Sequence, residues 1–160
     1  MRILGIDPGT AIVGWAVLEK TNTGNAVIAY GDITTPKEDT LEQRLVDINK
    51  DLTELIEKYQ PEHAAVEDLF FFKNQKTAMA VAHARGVILL TLAKKRVMVH
   101  SYTPLQVKQA LTGYGRAEKK QIQEMIKNVL ALEEVPQPDD VADALAVAYC
   151  HTHSISGVHK

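Results

Sequence analysis

Cysteine is nearly missing from this chain. Cys150 stands alone, so no internal disulfide framework exists, and the expected setting is reducing, intracellular and cytoplasmic. A lone Cys of this kind is expected to serve as a small apolar core residue. Aromatic residues are sparse at 6%, and the only three phenylalanines are consecutive, Phe70-Phe71-Phe72. No apolar run approaches the ~18 residues that a bilayer span requires. The opening MRILGID carries a charge at Asp7 and does not read as a signal peptide, so no membrane partner is expected. Internal repeats and low-complexity segments are missing too. The six histidines, His63, His83, His100, His151, His153 and His159, show no metal-ligand spacing. His151 and His153 read as residues near a helix C-terminus that complement its dipole.

An excess of positive charge is also lacking, since the formal net charge is -2. Taken alone, that argues against a nucleic-acid partner. The distribution argues for one. Between Phe70 and Leu130 lie eleven Lys or Arg and two acids, which leaves seven basic and eighteen acidic residues elsewhere. The middle of the chain therefore carries +9 and the flanks -11. Solvated helix faces give such runs; so does a phosphate-binding surface.

What is present fits one α/β domain of 160 residues, 46% hydrophobic and 24% charged. We read residues 1–153 as that domain and 154–160 as a frayed tail. Arg2 to Asp7 is a short apolar strand that stops at Asp-Pro-Gly. Ile12 to Glu19 and Asn25 to Thr34 follow as strands, the second introduced by the turn residues Thr23-Gly24-Asn25, which predicts an antiparallel meander. Leu41, Leu45, Ile48, Leu52, Leu55 and Ile56 have helical spacing. Glu62 to Glu67 is a fourth strand, expected to lie parallel to the first because a helix precedes it. Asp68 to Lys76 reads as a loop and Thr77 to Lys95 as a helix. Val97 to Tyr102 is a fifth strand, and helices follow over Thr103 to Thr112, Glu118 to Leu132 and Asp139 to His151. The expected architecture is a mixed five-stranded sheet flanked by helices.

The informative residues are carboxylates where apolar segments end. Asp7 closes the first strand and Glu67 the fourth, so parallel neighbours would present both at one sheet edge. Asp140 and Asp143 share a face of an otherwise apolar helix, and so do Asp139 and Asp143, so spacing does not choose between Asp139 and Asp140. Each acid also has an ordinary reading: an Asx turn at Asp7, a loop start at Glu67-Asp68, helix N-caps at Asp139 and Asp140. Together they read as a site for hard divalent cations, because clustered carboxylates repel one another without one.

The segments MRILGIDPGTAIVGWAVLE, VEDLFFFKNQKTAMAVAHARG, QVKQALTGYGRAEKKQI and DDVADALAVAYCH, in this order from about Arg2 to His153, resemble the RuvC family of Holliday-junction resolvases. The resemblance implies a ribonuclease H-like fold and a homodimer that nicks two symmetric strands of a four-way DNA junction in recombination and repair, leaving 5′ phosphate and 3′ hydroxyl ends. It implies catalytic, metal-holding acids at Asp7, Glu67, Asp140 and Asp143, the D-x-x-D-A-L-A pattern selecting Asp140. Two ions per site, Mg²⁺ or Mn²⁺, would sit ~3.5–4 Å apart, with Asp7 on the central strand as the bridging ligand. The implied phosphate contacts are Lys108 and Lys119, and Phe70 is the implied junction-contacting aromatic. Lys73, Lys76 and Arg116 are further expected DNA contacts. The family also suggests partnership with a branch-migration helicase. Asp68 adds a second acid beside Glu67, and three adjacent rings in one loop cannot all point inward. Three other readings fit part of the pattern: an actin-like ATPase, through Asp7-Pro8-Gly9-Thr10, a non-catalytic junction-binding protein, and a related nuclease acting on other branched or RNA-containing substrates.

Overall fold

Alternation dictates the layers. In β1 (Arg2–Asp7) the odd positions Ile3 and Gly5 face one side and Leu4 and Ile6 the other, and all four are buried. A strand buried on both faces needs helices on both faces. The computed structural model describes residues 1–69 and 75–155, the side chains of residues 75 and 76 excepted. It has a five-stranded sheet in the order β3-β2-β1-β4-β5. β2 (Ile12–Lys20) pairs antiparallel with β1 and with β3 (Asn25–Thr34), forming the expected meander. β4 (His63–Glu67) runs parallel to β1, and β5 (Met98–Tyr102) runs parallel to β4.

One face is covered by α1 (Leu41–Tyr59) and α2 (Gln75–Lys94). Ile48, Leu52 and Ile56 of α1 and Ile88 and Leu92 of α2 pack there on Leu4, Ile6, Val17 and Val66. Thr40 caps α1 by accepting the Gln43 backbone N–H, and Gln60 ends it in a left-handed conformation. The other face carries α3 (Pro104–Thr112), α4 (Lys119–Val129) and α5 (Asp139–Ser154), which enclose Ile3, Ala16, Leu18 and Ala65. Burying each large aliphatic side chain in these two cores contributes roughly 1.5–3 kcal/mol.

The elements follow the sequence reading closely, with a few differences; α2 begins at Gln75, inside the expected loop Asp68 to Lys76. α4 stops at Val129, short of Leu132, because Ala131 takes a positive φ and the Leu132 N–H turns back to the Lys127 carbonyl. α5 extends past His151 to Ser154, into what was expected to be tail. Finally, the expectation that no segment approaches a membrane span is corrected. Thr77–Lys94 is long and apolar enough by length and composition, with a mean hydropathy of 1.2, yet only 22% of it is buried inside the chain. Met79 and Leu90 stand on it 61% and 59% exposed.

Candidate active site

Odd-numbered residues of β1 and β4 point at the α5 face, which puts Asp7 and Glu67 on that face at the last pleat of two adjacent parallel strands. The register pairs Ile6 with Val66, so the two acids follow side by side. Opposite Asp7 on β2 stands Gly14. A Cβ on Gly14 would run into the Asp140 carbonyl oxygen, and a Cβ on Gly5 into that of Ala144. Two missing side chains therefore let the α5 backbone lie directly on the sheet. That contact brings the first turns of α5, and with them Asp140 and Asp143, up to Asp7.

The electrostatics report the crowding. Burial, then the charges of Glu67 and Asp143, push the Asp7 carboxyl from its ordinary 3.8 up to about 9. Asp7 shares a hydrogen bond with Glu67, and Asp140 adds to the repulsion. Burial raises Glu67 as well, only partly offset by that hydrogen bond. Asp143 is raised by burial against the pull of Lys119. Two carboxyl groups sharing a proton in a half-buried cleft are what like charges do when no cation separates them.

Lys119 enters from the first turn of α4. Its Nζ lies 3.1 Å from Asp143 and 3.3 Å from Asp139. Burial pulls its pKa down, but the Asp143 and Asp139 carboxylates outweigh it and the net shift is upward. Lys119, Lys108, Glu67, Asp143, Val107 and Ile122 line a cleft beside the acids. Arg116 is exposed in the turn leading into α4.

Asp139 and Asp140 are not N-caps: the cap residue is Pro138, with no side-chain cap hydrogen bond. Asp139 instead meets Lys119 and accepts a 2.9 Å hydrogen bond from Gln123. Asp68 has turned away as well. It accepts a 2.5 Å charged hydrogen bond from Arg85, which also donates to the Glu67 carbonyl and to Ser101 Oγ. Arg85 thus ties the end of β4 to α2 and β5. In the sequence Arg85 is only one more positive charge, since its partners are remote in the chain. Phe70 and Lys73 lie outside the described residues, as does the side chain of Lys76.

The histidine reading is corrected. His63, His100 and His151 come together, each offering a nitrogen within 4.8 Å of the others. His151 is fully buried, and burial with neighbouring His100, His63 and Lys20 pushes it down to about 4, so it cannot complement a helix dipole as a cation. Tertiary structure alone assembles this trio from β4, β5 and α5. It is not part of the carboxylate site: His63 precedes Glu67 by four strand residues, roughly 13 Å, and His151 follows Asp143 by eight helical residues, about 12 Å.

Several known proteins are similar to this chain in sequence and fold. The family model described as Crossover junction endodeoxyribonuclease RuvC matches residues 3–151. A protein of that description from Petrotoga mobilis is 56% identical over 151 residues, covering 94% of this chain and 93% of the relative. Another from Heliobacterium modesticaldum is 54% identical, covering 98% and 96%. The structure of Thermus thermophilus RuvC in complex with a Holliday junction substrate superimposes with a TM-score of 0.91 at 33% identity, covering 98% and 96%. The fold is ribonuclease H-like, the actin-like ATPase alternative is set aside, and the chain belongs to the RuvC family of crossover junction endodeoxyribonucleases.

Proposed function

We propose that this protein resolves four-way DNA junctions in recombination and repair, hydrolysing one phosphodiester in each of two symmetric strands to leave 5′ phosphate and 3′ hydroxyl ends. One observation carries the chemical part of the reading: Asp7, Glu67, Asp140 and Asp143 converge at one end of the β1–β4 pair, with Asp7 and Glu67 sharing a hydrogen bond. The donor set is all oxygen, anionic and compressed, which suits Mg²⁺ or Mn²⁺ and not a softer ion. Asp7, Glu67, Asp140 and Asp143 would hold two such ions. When bound, the ions supply a water of lowered pKa and neutralise charge on the leaving oxygen.

The chain's own side chains do the rest. Lys119, already within ion-pair distance of Asp143, would hold a non-bridging oxygen of the scissile phosphate at the mouth of the cleft. Lys108, on the cleft wall, would seat a neighbouring phosphate. Arg116, Lys73 and Lys76 extend that basic surface, and Phe70 would stack on an unpaired base at the branch point. Arg85 keeps Glu67 at the sheet edge by fixing its carbonyl and Asp68. The other functional requirement is two-fold symmetry. The apolar, mostly uncovered α2 suits a homodimer interface that sets two sites against the two strands. Cytoplasmic location and a branch-migration helicase as partner belong to the same reading.

The test uses a synthetic four-way junction and a linear duplex with Mg²⁺, comparing the parent with Asp7→Asn. Paired symmetric nicks on the junction alone, lost in Asp7→Asn while junction binding persists, are expected. Binding without cleavage by the parent in both Mg²⁺ and Mn²⁺ would reduce the protein to a junction-binding module.

A further inference from the structure

At the sheet end opposite the carboxylates, the pleat that aims Glu67 at α5 also aims His63, the first residue of β4, at the same helix. β5 places His100 beside it, pairing His63 with Met98 and Ala65 with His100. The two rings stack with centroids 5.3 Å apart and 8° between their planes. His151, in the last turns of α5, closes over them, 5.1 Å from the His63 ring and 4.4 Å from the His100 ring.

The hydrogen-bond inventory of the trio is incomplete. A neutral imidazole has one donor and one acceptor nitrogen. His151 Nε2 lies 2.9 Å from His63 Nδ1, and His151 Nδ1 lies 2.6 Å from the Tyr102 hydroxyl. His100 Nε2 is buried and has no partner. His100 Nε2 is thus an unpartnered buried nitrogen beside two other convergent imidazole nitrogens, and in the tautomer that leaves its lone pair free it lacks an electron-pair acceptor. A cation can take up lone pairs from all three rings, and a single proton cannot.

We propose that His63, His100 and His151 form a second metal site, for a borderline divalent cation of the Zn²⁺ class, distinct from the hard-ion carboxylate site. Three imidazoles match the nitrogen preference of Zn²⁺, Co²⁺ and Ni²⁺ and not the oxygen preference of Mg²⁺. The Tyr102 hydroxyl is the orienting partner. When it accepts from His151 Nδ1–H, Nε2 is left as the ligating atom, the usual arrangement behind a metal-bound imidazole. His63 and His100 are only half-buried, so the trio lies near the surface. The site clips β4, β5 and α5 together at the end remote from the catalytic acids, on the elements that carry Glu67, Asp140 and Asp143.

The experiment titrates the full-length protein with ZnCl₂ by calorimetry in saturating Mg²⁺, which fills the carboxylate site, and follows the thermal midpoint in parallel. One Zn²⁺ per chain and a midpoint raised by several degrees are expected, both retained in Asp7→Asn. In His63→Gln and His100→Gln the affinity should fall at least tenfold and the shift vanish, with junction cleavage in Mg²⁺ unchanged. Both positions are half-exposed, so the variants test the site without emptying the core. Co²⁺ adds a spectroscopic readout: visible bands of a nitrogen-ligated ion in the parent, lost in both variants. Undetectable Zn²⁺ binding, or equal affinity in parent and both variants, overturns the proposal, as does binding that Asp7→Asn abolishes.

Discussion

Asp7 is ionisable yet held protonated at neutral pH when no cation is near, because burial and two neighbouring acids push it up to about 9. The linkage has a definite sign. An acid whose pKa is higher in the folded chain than in the unfolded chain adds stability below its unfolded pKa, and that stability is lost as pH rises through the folded value. In EDTA, urea unfolding should therefore show stability declining from about pH 4 to pH 9, and Asp7→Asn should flatten that decline. Parent and variant profiles of equal slope would refute the shared proton. Asp7→Asn should also match or exceed the parent in metal-free stability while losing at least about a hundredfold in cleavage rate. His151 acts in the opposite sense. Its folded pKa of about 4 lies below the ordinary 6.5, so its contribution is present above 6.5 and lost as pH falls toward 4, by up to about 3 kcal/mol. His63 and His100 face it from β4 and β5 and Lys20 from β2, and all three oppose its protonation. An acid limb of stability that disappears in His151→Gln is expected, measured by the same unfolding series. Lys119 is 54% exposed, so its ion pairs contribute little stability. Lys119→Gln should leave the thermal midpoint within about 2 °C while weakening junction binding and lowering its salt slope by about 1.

At the scale of elements, the decisive contact is α5 on β1 and β2. Gly14→Ala should cost about 1–3 kcal/mol, because the added methyl meets the Asp140 backbone and not a side chain that can swing aside. It should also lower cleavage more than junction binding, since it displaces the helix turn that bears Asp140. Equal loss in both would place the damage elsewhere. This contact also marks where sequence reading stopped. Strands ending in Asp7 and Glu67 were legible because apolar runs of that length have few alternatives, and parallel pairing followed from the intervening helix. The choice between Asp139 and Asp140 was not legible from spacing, since both stand one turn from Asp143. It depends on which of them Gln123 and Lys119 draw away, and that is tertiary. The histidine trio was invisible for the same reason: His63, His100 and His151 sit on three elements, with no periodicity linking them. Arg85 looked like ordinary surface charge until the fold placed Asp68, Ser101 and the Glu67 carbonyl around it.

For the whole molecule, α2 is the element whose composition and surroundings disagree. It is apolar enough for a core, yet most of it is uncovered. The homodimer proposed above would resolve the disagreement, and in that case Met79→Glu with Leu90→Glu should convert a dimer to a monomer in sedimentation velocity. The monomer should still bind metal but lose coordinated nicking of both strands. A variant that remains dimeric would move the interface off this helix. Gly86 makes the same point from the other side. A Cβ there meets nothing within 4 Å, so Gly86→Ala should stabilise an isolated chain by about 0.5–1 kcal/mol. A loss of dimer affinity instead would show a neighbour seated against it.

The bare backbone at Gly5 and Gly14 has one more effect. Because no side chain stands between the α5 backbone and the sheet at Gly5 and Gly14, the gauge of the acidic cleft beside them is set by main-chain thickness. Neighbouring residues can change what fills the cleft, its charge and its wetness. They cannot widen it by swapping rotamers, so a change of catalytic ion would have to be made in the ligand atoms themselves.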